Sequence, residues 1–138
     1  MAETVTQAVS PRLRQLTPIL IVERVEPCLE FWTRRFGFEV KNQVPGDDGA
    51  LVFASVERGG IEVMYQTRAS VIADHPHAAG EIDGHSVVLF LTVNDIADTE
   101  RALDGAPVVK PRHDTFYGST EIYVREPGGN TVGFAQFA

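Results

Sequence analysis

"LTPILIVERVEPCLEFWTRRFGFEV", residues 16–40, contains the signals of a strand, a helix and the start of a second strand. Its first part, Leu16 to Val22, is typical of a buried strand, and Pro18 places that strand at a sheet edge or in a bulge. Pro27 suits the first turn of a helix, apolar residues follow it at helical spacing, and Gly37 stands where a left-handed C-cap is expected. The stretch therefore predicts a β-α-β beginning.

The residues that follow continue in extended structure. "GFEVKNQV" (37–44) predicts the second strand and "GDDG" (46–49) a turn. "ALVFASVERGGIEVMYQ" (50–66) predicts two strands joined at residues 58–60. The order of this first half is β-α-β-β-β.

The second half repeats that order after a polar connector. "SVVLFLTV" (86–93) is a strand, Asn94 or Asp95 caps a helix over 96–103, and Gly105 ends it. "APVVKP" (106–111), "STEIYVRE" (119–126) and "NTVGFAQF" (130–137) are three further strands. We predict two modules, 14–68 and 85–138, joined by connector 69–84 within a single domain spanning 1–138.

An offset of 71 residues relates the two modules. It superposes Glu62 on Gly133. The same offset matches apolar positions on both sides of the helices, with Val22 on Val93, Phe53 on Val124 and Ile61 on Val132. Because a slip of one residue would exchange the two faces of a strand, this agreement favours an internal duplication. The predicted fold class is α+β, with two tandem βαβββ modules.

Composition limits the partners and the compartment. The chain has 138 residues and a net charge of −7, without the basic stripe that a nucleic acid requires. No apolar run approaches a membrane span, so neither nucleic acid nor membrane is an expected partner. Cys28 is the only cysteine, which agrees with a reducing compartment. We expect a cytoplasmic protein.

The paired modules, the segment "ILIVERVEPCLEFWTRRFGFEV" and the closing "YGSTEIYVREPGGNTVGFAQF" resemble the glyoxalase/bleomycin-resistance/extradiol-dioxygenase (vicinal oxygen chelate) superfamily. The resemblance covers about residues 16–137, and the pattern is nearest to the metal-free, bleomycin-resistance-like members. It implies a cup-shaped, curved mixed sheet with the helices outside. It also implies a homodimer, with the cup formed either within one chain or between two.

In metal-dependent members of that family, four positions converge on a divalent ion. Carried over to this sequence they are Thr17, Glu62, Val88 and Gly133, of which only Glu62 binds metals well. His85 stands three residues before Val88, and an odd offset points it to the opposite face unless a bulge intervenes. His75 and His77 are interpreted as solvated loop residues. We expect no metal and no cofactor.

Strand alternation and the resemblance together predict which side chains face the cup. The expected ligand-binding residues are Thr17, Ile19, Ile21, Glu62, Met64, Val88, Phe90, Thr92, His113 and Tyr117. The first hypothesis is a metal-free protein that sequesters a small aromatic or cationic molecule, as in antibiotic resistance. The alternative is an enzyme of the same family, a lyase, isomerase or dioxygenase. It would be metal-free, with Glu62 as general base and His113 or Tyr117 as acid, or would use metal ligands not identified here.

Overall fold

A computed structural model describes residues 11–76, 85 and 87–138 of the chain. The strands and helices follow one another as β1 Ile19–Val22, α1 Glu26–Phe36, β2 Glu39–Pro45, β3 Leu51–Arg58, β4 Ile61–Thr67, α2 Arg68–Asp74, β5 Val88–Thr92, α3 Ile96–Ala102, β6 Val108–Asp114, β7 Ser119–Arg125 and β8 Thr131–Phe137. None of the helices in the described ranges is long and apolar enough to cross a membrane.

The strands form two four-stranded mixed sheets of the same topology. The first sheet has the order β1-β4-β3-β2 and the second has the order β5-β8-β7-β6. In each, the first strand pairs in parallel with the last, and the remaining pairs are antiparallel. The predicted α+β class with two tandem βαβββ modules is confirmed.

The two modules do not keep a uniform offset of 71. Ile19 pairs with Met64, whereas Phe90, which is 71 positions after Ile19, pairs with Gly133, which is 69 positions after Met64. Gly133 therefore corresponds to Met64 if β1 is superposed on β5 at that offset, and to Glu62 if β4 is superposed on β8 at 71, which displaces β5 by two residues. A shift of two residues keeps every side chain on the same face, so the face assignments survive it.

Each of the two predicted helices has one of its predicted caps, but α3 ends at Ala102 with Leu103 as its C-cap, and not at Gly105. Gly37 takes a left-handed conformation (φ 68°), and its N–H bonds to the Thr33 carbonyl at the end of α1. Asp95 caps α3 by accepting bonds from the N–H groups of Ala97 and Asp98. Helix α2, Arg68–Asp74, is a correction to the prediction, because residues 69–84 are expected to be a connector. Its cap is Thr67, whose hydroxyl accepts from the Ser70 N–H.

Two strand boundaries differ from the sequence prediction by three residues, and the others by at most two. Strand β1 begins at Ile19, so Thr17 and Pro18 lie before it, although the Pro18 carbonyl still accepts the Met64 N–H. Strand β6 runs to Asp114, beyond the predicted end at 111, with two register shifts against β7. The bulged, exposed β6 lies at a sheet edge, where such irregularities are common.

One hydrophobic core serves both modules. Phe36 of the first module stacks on Phe134 of the second, with ring centroids 5.1 Å apart. Arg35 donates to the carbonyl oxygens of Ala102 and Asp104 at the end of α3. The core is filled by apolar helix residues, Trp32 of α1 among them, and by the inward-facing residues of the strands. Each sheet is left with a second face, here called the open face, whose side chains alternate with those of the core.

Candidate functional site

Glu62 lies on the open face of β4 and is only 8% exposed. Its Oε1 accepts a hydrogen bond of 2.7 Å from Gln15 Nε2 and lies 3.5 Å from Lys41 Nζ. Within the described ranges Oε2 has no hydrogen-bond partner. A nearly buried carboxylate with one unmatched oxygen has capacity for a further donor, because burial without a hydrogen bond is costly.

A β-bulge brings Lys41 to this carboxylate. Val40 pairs with Val56 and Asn42 with Ser55, so Lys41 is the extra residue of β2. Bulges re-aim the side chain they insert, and here the ammonium group reaches the open face. The Lys41 side chain is 53% exposed, so its interaction with Glu62 is partly screened by solvent.

Glu62 lines a pocket of about 280 Å³ that includes residues of both modules. Leu16, Pro18 and Ile61 contribute from the first module, and Leu89, Phe90 and Leu91 from the second. Of the residues expected to bind ligand, the pocket brings Glu62 and Phe90 together. It combines an apolar lining with a single carboxylate, which is the usual composition of a small-molecule site.

The other expected apolar positions lie on the open faces as alternation predicted. Ile19, Val88 and Phe90 are 52%, 51% and 48% exposed. Leu20 and Val22, which alternate with Ile19 and Ile21 and face the core, are buried. Ile21 and Met64 are partly buried, and Thr92 is exposed. Thr17 precedes the strand and accepts a hydrogen bond from Gln15, the residue that also bonds Glu62.

A second buried carboxylate, Glu121, occupies the open face of β7 and is 1% exposed. Its Oε2 accepts from Ser119 Oγ and from the Tyr117 hydroxyl, each at 2.7 Å, and its Oε1 accepts from the Tyr123 hydroxyl at 2.9 Å. Burial acts to raise the pKa of Glu121, but the three hydroxyl donors outweigh it and hold the pKa below its ordinary value. Desolvation and the bond to Glu121 raise the pKa of Tyr123 to about 12.

His113 and Tyr117 belong to this second cluster. His113 pairs with Glu121 across β6 and β7, its ring stacks on Tyr123 with centroids 6.4 Å apart, and its Nδ1 lies 2.8 Å from the Pro111 carbonyl oxygen. The bond that Tyr117 donates to Glu121 raises the pKa of Tyr117. In the described part of the chain, neither His113 nor Tyr117 has a hydrogen bond or ion pair with Glu62. The structure therefore does not place either one as an acid beside Glu62.

The four metal-ligand positions implied by the resemblance do not fit a catalytic metal. Val88 has no donor atom, Thr17 is a poor ligand, and Gly133 has no side chain. A Cβ at Gly133 would clash with the Tyr123 ring, so even a small side chain there requires Tyr123 to move. No group of three or more His, Cys, Asp or Glu residues with metal-binding geometry occurs in the ranges described.

Of the other described histidines, neither His85 nor His75 lines the Glu62 pocket. His85 Nδ1 is 3.0 Å from Asn130 Oδ1, and its Nε2 lies close to Gly129 in the turn before β8. His75 is exposed and caps the end of α2. His77 lies outside the described residues.

A third buried carboxylate, Glu126, joins the two modules on the helix side. Its Oε2 accepts from the Tyr65 hydroxyl at 2.7 Å, and its Oε1 accepts from the backbone and side-chain amides of Asn130. Tyr65 in turn accepts from Trp32 Nε1 at 2.9 Å. Burial raises the pKa of the Cys28 thiol beside Glu126, which makes a reactive thiolate unfavourable there.

Sequence reasoning missed several residues of these sites. Alternation in "STEIYV" already places Ser119, Glu121 and Tyr123 on the face opposite to Ile122 and Val124, so the Glu121 cluster had a usable signal. Lys41 had none, because it reaches Glu62 only through the bulge. Gln15 precedes every predicted element, and no periodicity marks it.

Three comparisons identify similar proteins. The family model described as Glyoxalase/Bleomycin resistance protein/Dioxygenase superfamily matches residues 12–134. An uncharacterized protein of Mycobacterium bovis, Mb0911c, is 31% identical over 130 residues, which cover 88% of this chain and 82% of that protein.

Solved structures of low sequence identity share the fold. A glyoxalase/bleomycin resistance protein/dioxygenase family enzyme from Burkholderia phytofirmans PsJN has a TM-score of 0.73 at 13% identity, covering 88% of this chain and 97% of that one. Lactoylglutathione lyase from Agrobacterium tumefaciens has a TM-score of 0.69 at 18% identity, covering 91% and 95%. At such identities the likeness concerns the fold alone.

Proposed function

This chain belongs to the glyoxalase/bleomycin resistance protein/dioxygenase superfamily, and we propose that it binds and sequesters a small aromatic cation without a metal ion. The observation that carries the proposal is the pocket in which Glu62 and Phe90 lie together. Glu62 supplies a nearly buried negative charge whose Oε2 has no partner among the described residues, and Phe90 supplies an aromatic surface from the other module.

The chemistry of the pocket favours a cation. A donor bound to a carboxylate forms a charge-assisted hydrogen bond, which is roughly twice as strong as a neutral one. The Lys41 ammonium already lies beside the Glu62 carboxylate. The Lys41 side chain is half exposed and flexible, so a ligand cation can replace it there. The net charge of −7 attracts cations over a longer range.

The donor set supports binding without a metal. Glu62 is the only good ligand among the four positions that metal-dependent relatives use, and a catalytic ion needs about three. Metal analysis of protein purified without chelator addresses this directly. Stoichiometric zinc, nickel, manganese or iron would contradict the proposal.

We expect the protein to work as a cytoplasmic homodimer. The exposed apolar side chains of the open faces, Ile19, Val88 and Phe90, support association, because a second copy would remove them from water.

The binding test uses two planar probes that differ in charge. Proflavine is an aromatic cation, and acridine-9-carboxylate presents a similar ring system with a negative group. We expect fluorescence titration to show saturable binding of proflavine, with acridine-9-carboxylate at least about tenfold weaker because Glu62 repels it. Equal affinity for the two probes would show that charge at this site does not select the ligand, and would refute the proposal.

A further inference from the structure

A groove separate from the Glu62 pocket lies on the helix side of the molecule. It has a volume of about 840 Å³ and runs between α1, the end of α3 and the turn that joins β7 to β8. Pro27, Phe31, Ala106, Pro107 and Pro127 give it an apolar floor. The proposed cation site does not use this groove.

Four arginines line the groove, although the chain as a whole is acidic. Arg34 and Arg35 come from α1, Arg101 from α3 and Arg125 from the end of β7. They are four of the chain's 12 lysines and arginines, against a net charge of −7. The groove thus concentrates a third of the basic side chains at one place.

Among the described residues, two carboxylates line the groove. One is Glu30, and the other is Glu126, whose two oxygens already accept bonds from Tyr65 and Asn130. Asp98, outside the lining, pairs with Arg101, so four guanidinium groups meet three carboxylates, of which Glu126 is satisfied within the protein. The local excess of positive charge favours an anion.

Three of the guanidinium groups are held in place by bonds that leave most of their donors unused. Arg35 donates through Nη1 to two carbonyl oxygens and lies over the Phe31 ring, 5.7 Å from its centroid. Arg125 donates through Nη1 to the Gly129 carbonyl, and Arg101 pairs with Asp98. Arginine has five N–H donors in a rigid fork, so the remaining donors are already positioned for a ligand.

Arg34 completes the set. Its side chain has no hydrogen bond or ion pair with any described residue, and it is exposed at the groove. A guanidinium without a protein partner is available to an incoming phosphate or carboxylate, which it can bind in a bidentate manner.

We propose that this groove binds a small organic anion, with its phosphate or carboxylate on the arginines and its apolar body on the proline- and phenylalanine-lined floor. Both parts of the ligand follow from the lining. The arginines select a negative charge, and burial of an apolar substituent on the floor stabilises the complex.

Phenyl phosphate, inorganic phosphate and phenol separate the two contributions. We expect isothermal titration at low salt to show stoichiometric binding of phenyl phosphate, weaker binding of inorganic phosphate and none of phenol. Arg34→Gln/Arg125→Gln should weaken phenyl phosphate binding about tenfold or more. Arg34→Gln alone, which breaks no internal bond, should weaken it by a smaller factor without affecting the fold.

Two matched variants serve as controls. Arg24→Gln removes an exposed arginine outside the groove, and Glu62→Gln alters the other site; both should change the phenyl phosphate Kd by less than about twofold. The proposal is overturned if phenyl phosphate does not bind, if phosphate binds as tightly, or if Arg24→Gln loses as much affinity as Arg34→Gln. A loss of phenyl phosphate binding confined to Glu62→Gln would also overturn it.

Discussion

The three buried carboxylates differ in how many donors each one receives. Glu121 and Glu126 each accept three hydrogen bonds, so their charges are matched within the protein. Among the residues that the structure describes, Glu62 has one hydrogen bond and one ion pair, both on the same oxygen. This difference separates a carboxylate with spare capacity from two that hold the structure together.

At Glu126 we predict a stability effect for Tyr65→Phe. The substitution removes the hydroxyl donor from a carboxylate that is 2% exposed, and it leaves Trp32 Nε1 without its acceptor. Because a lost bond to a buried charge costs more than a neutral one, urea unfolding should show a free energy of unfolding lower by about 3 kcal/mol.

Tyr117→Phe is the matched control for that measurement. It also deletes a tyrosine hydroxyl bonded to a buried glutamate, but Tyr117 is half-exposed, so water can replace the lost donor. The loss should stay below about 1 kcal/mol. A loss as large as that of Tyr65→Phe would mean that burial does not distinguish the two networks.

Glu121 should contribute stability that depends on pH. Its folded pKa is depressed, so its contribution is present above the unfolded pKa of about 4.3 and is lost as the pH falls through the folded value. Ser119→Ala removes one of the donors that lower the pKa. Carbon-detected NMR titration should therefore show a higher pKa for Glu121 in that variant, and an unchanged or lower value would contradict the hydrogen-bond account.

At the scale of elements, β8 packs against β7 through a glycine and a tyrosine. Gly133 and Tyr123 are direct neighbours in the antiparallel pair, and the ring covers the space that a side chain would fill. Gly133→Ala places a Cβ against that ring, so we expect the free energy of unfolding to fall by about 1–3 kcal/mol. Denaturant unfolding measures the loss.

The double variant Gly133→Ala/Tyr123→Ala tests the cause. Removing the ring should abolish the clash, so adding Gly133→Ala to a Tyr123→Ala protein should cost less than about 0.5 kcal/mol. The same penalty in both backgrounds would assign the effect to the strand backbone instead of the ring.

Much of the fold could be predicted because the decisive signals are local. Helical spacing with Gly37 as C-cap set the end of α1, and period-two alternation assigned Ile19, Glu62 and Phe90 to the open faces. The repeat of element order then gave two modules. Each inference needed only a few neighbouring residues.

The features that escaped prediction depend on contacts between distant residues or on local irregularities. The bulge that redirects Lys41 inserts a single residue into β2, and the alternation of apolar and polar residues does not mark it. The shift of two residues between the modules also leaves that alternation unchanged. The Tyr65–Glu126 bond joins residues 61 positions apart. Helix α2 is short, and its capping residue Thr67 directly follows a strand.

At the scale of the whole molecule, we predict a homodimer. The open faces expose Ile19, Val88 and Phe90 by about half, and strands β1, β2, β5 and β6 are sheet edges. Multi-angle light scattering at micromolar concentration should give about twice the chain mass of 15.1 kDa. A mass of one chain across that range would exclude the proposed association.

The affinity of Glu62→Gln for proflavine tests the account most directly, because this change deletes the charge of the pocket and keeps its shape. A charge-assisted hydrogen bond contributes on the order of 1.5–3 kcal/mol, so the Kd should rise about 10- to 150-fold. Glu57→Gln is the control, since Glu57 is the strand partner of Glu62 but does not line the pocket, and its Kd should change less than about threefold. Equal affinities of wild type and Glu62→Gln, or an equal loss in Glu57→Gln, would contradict recognition of a cation by Glu62.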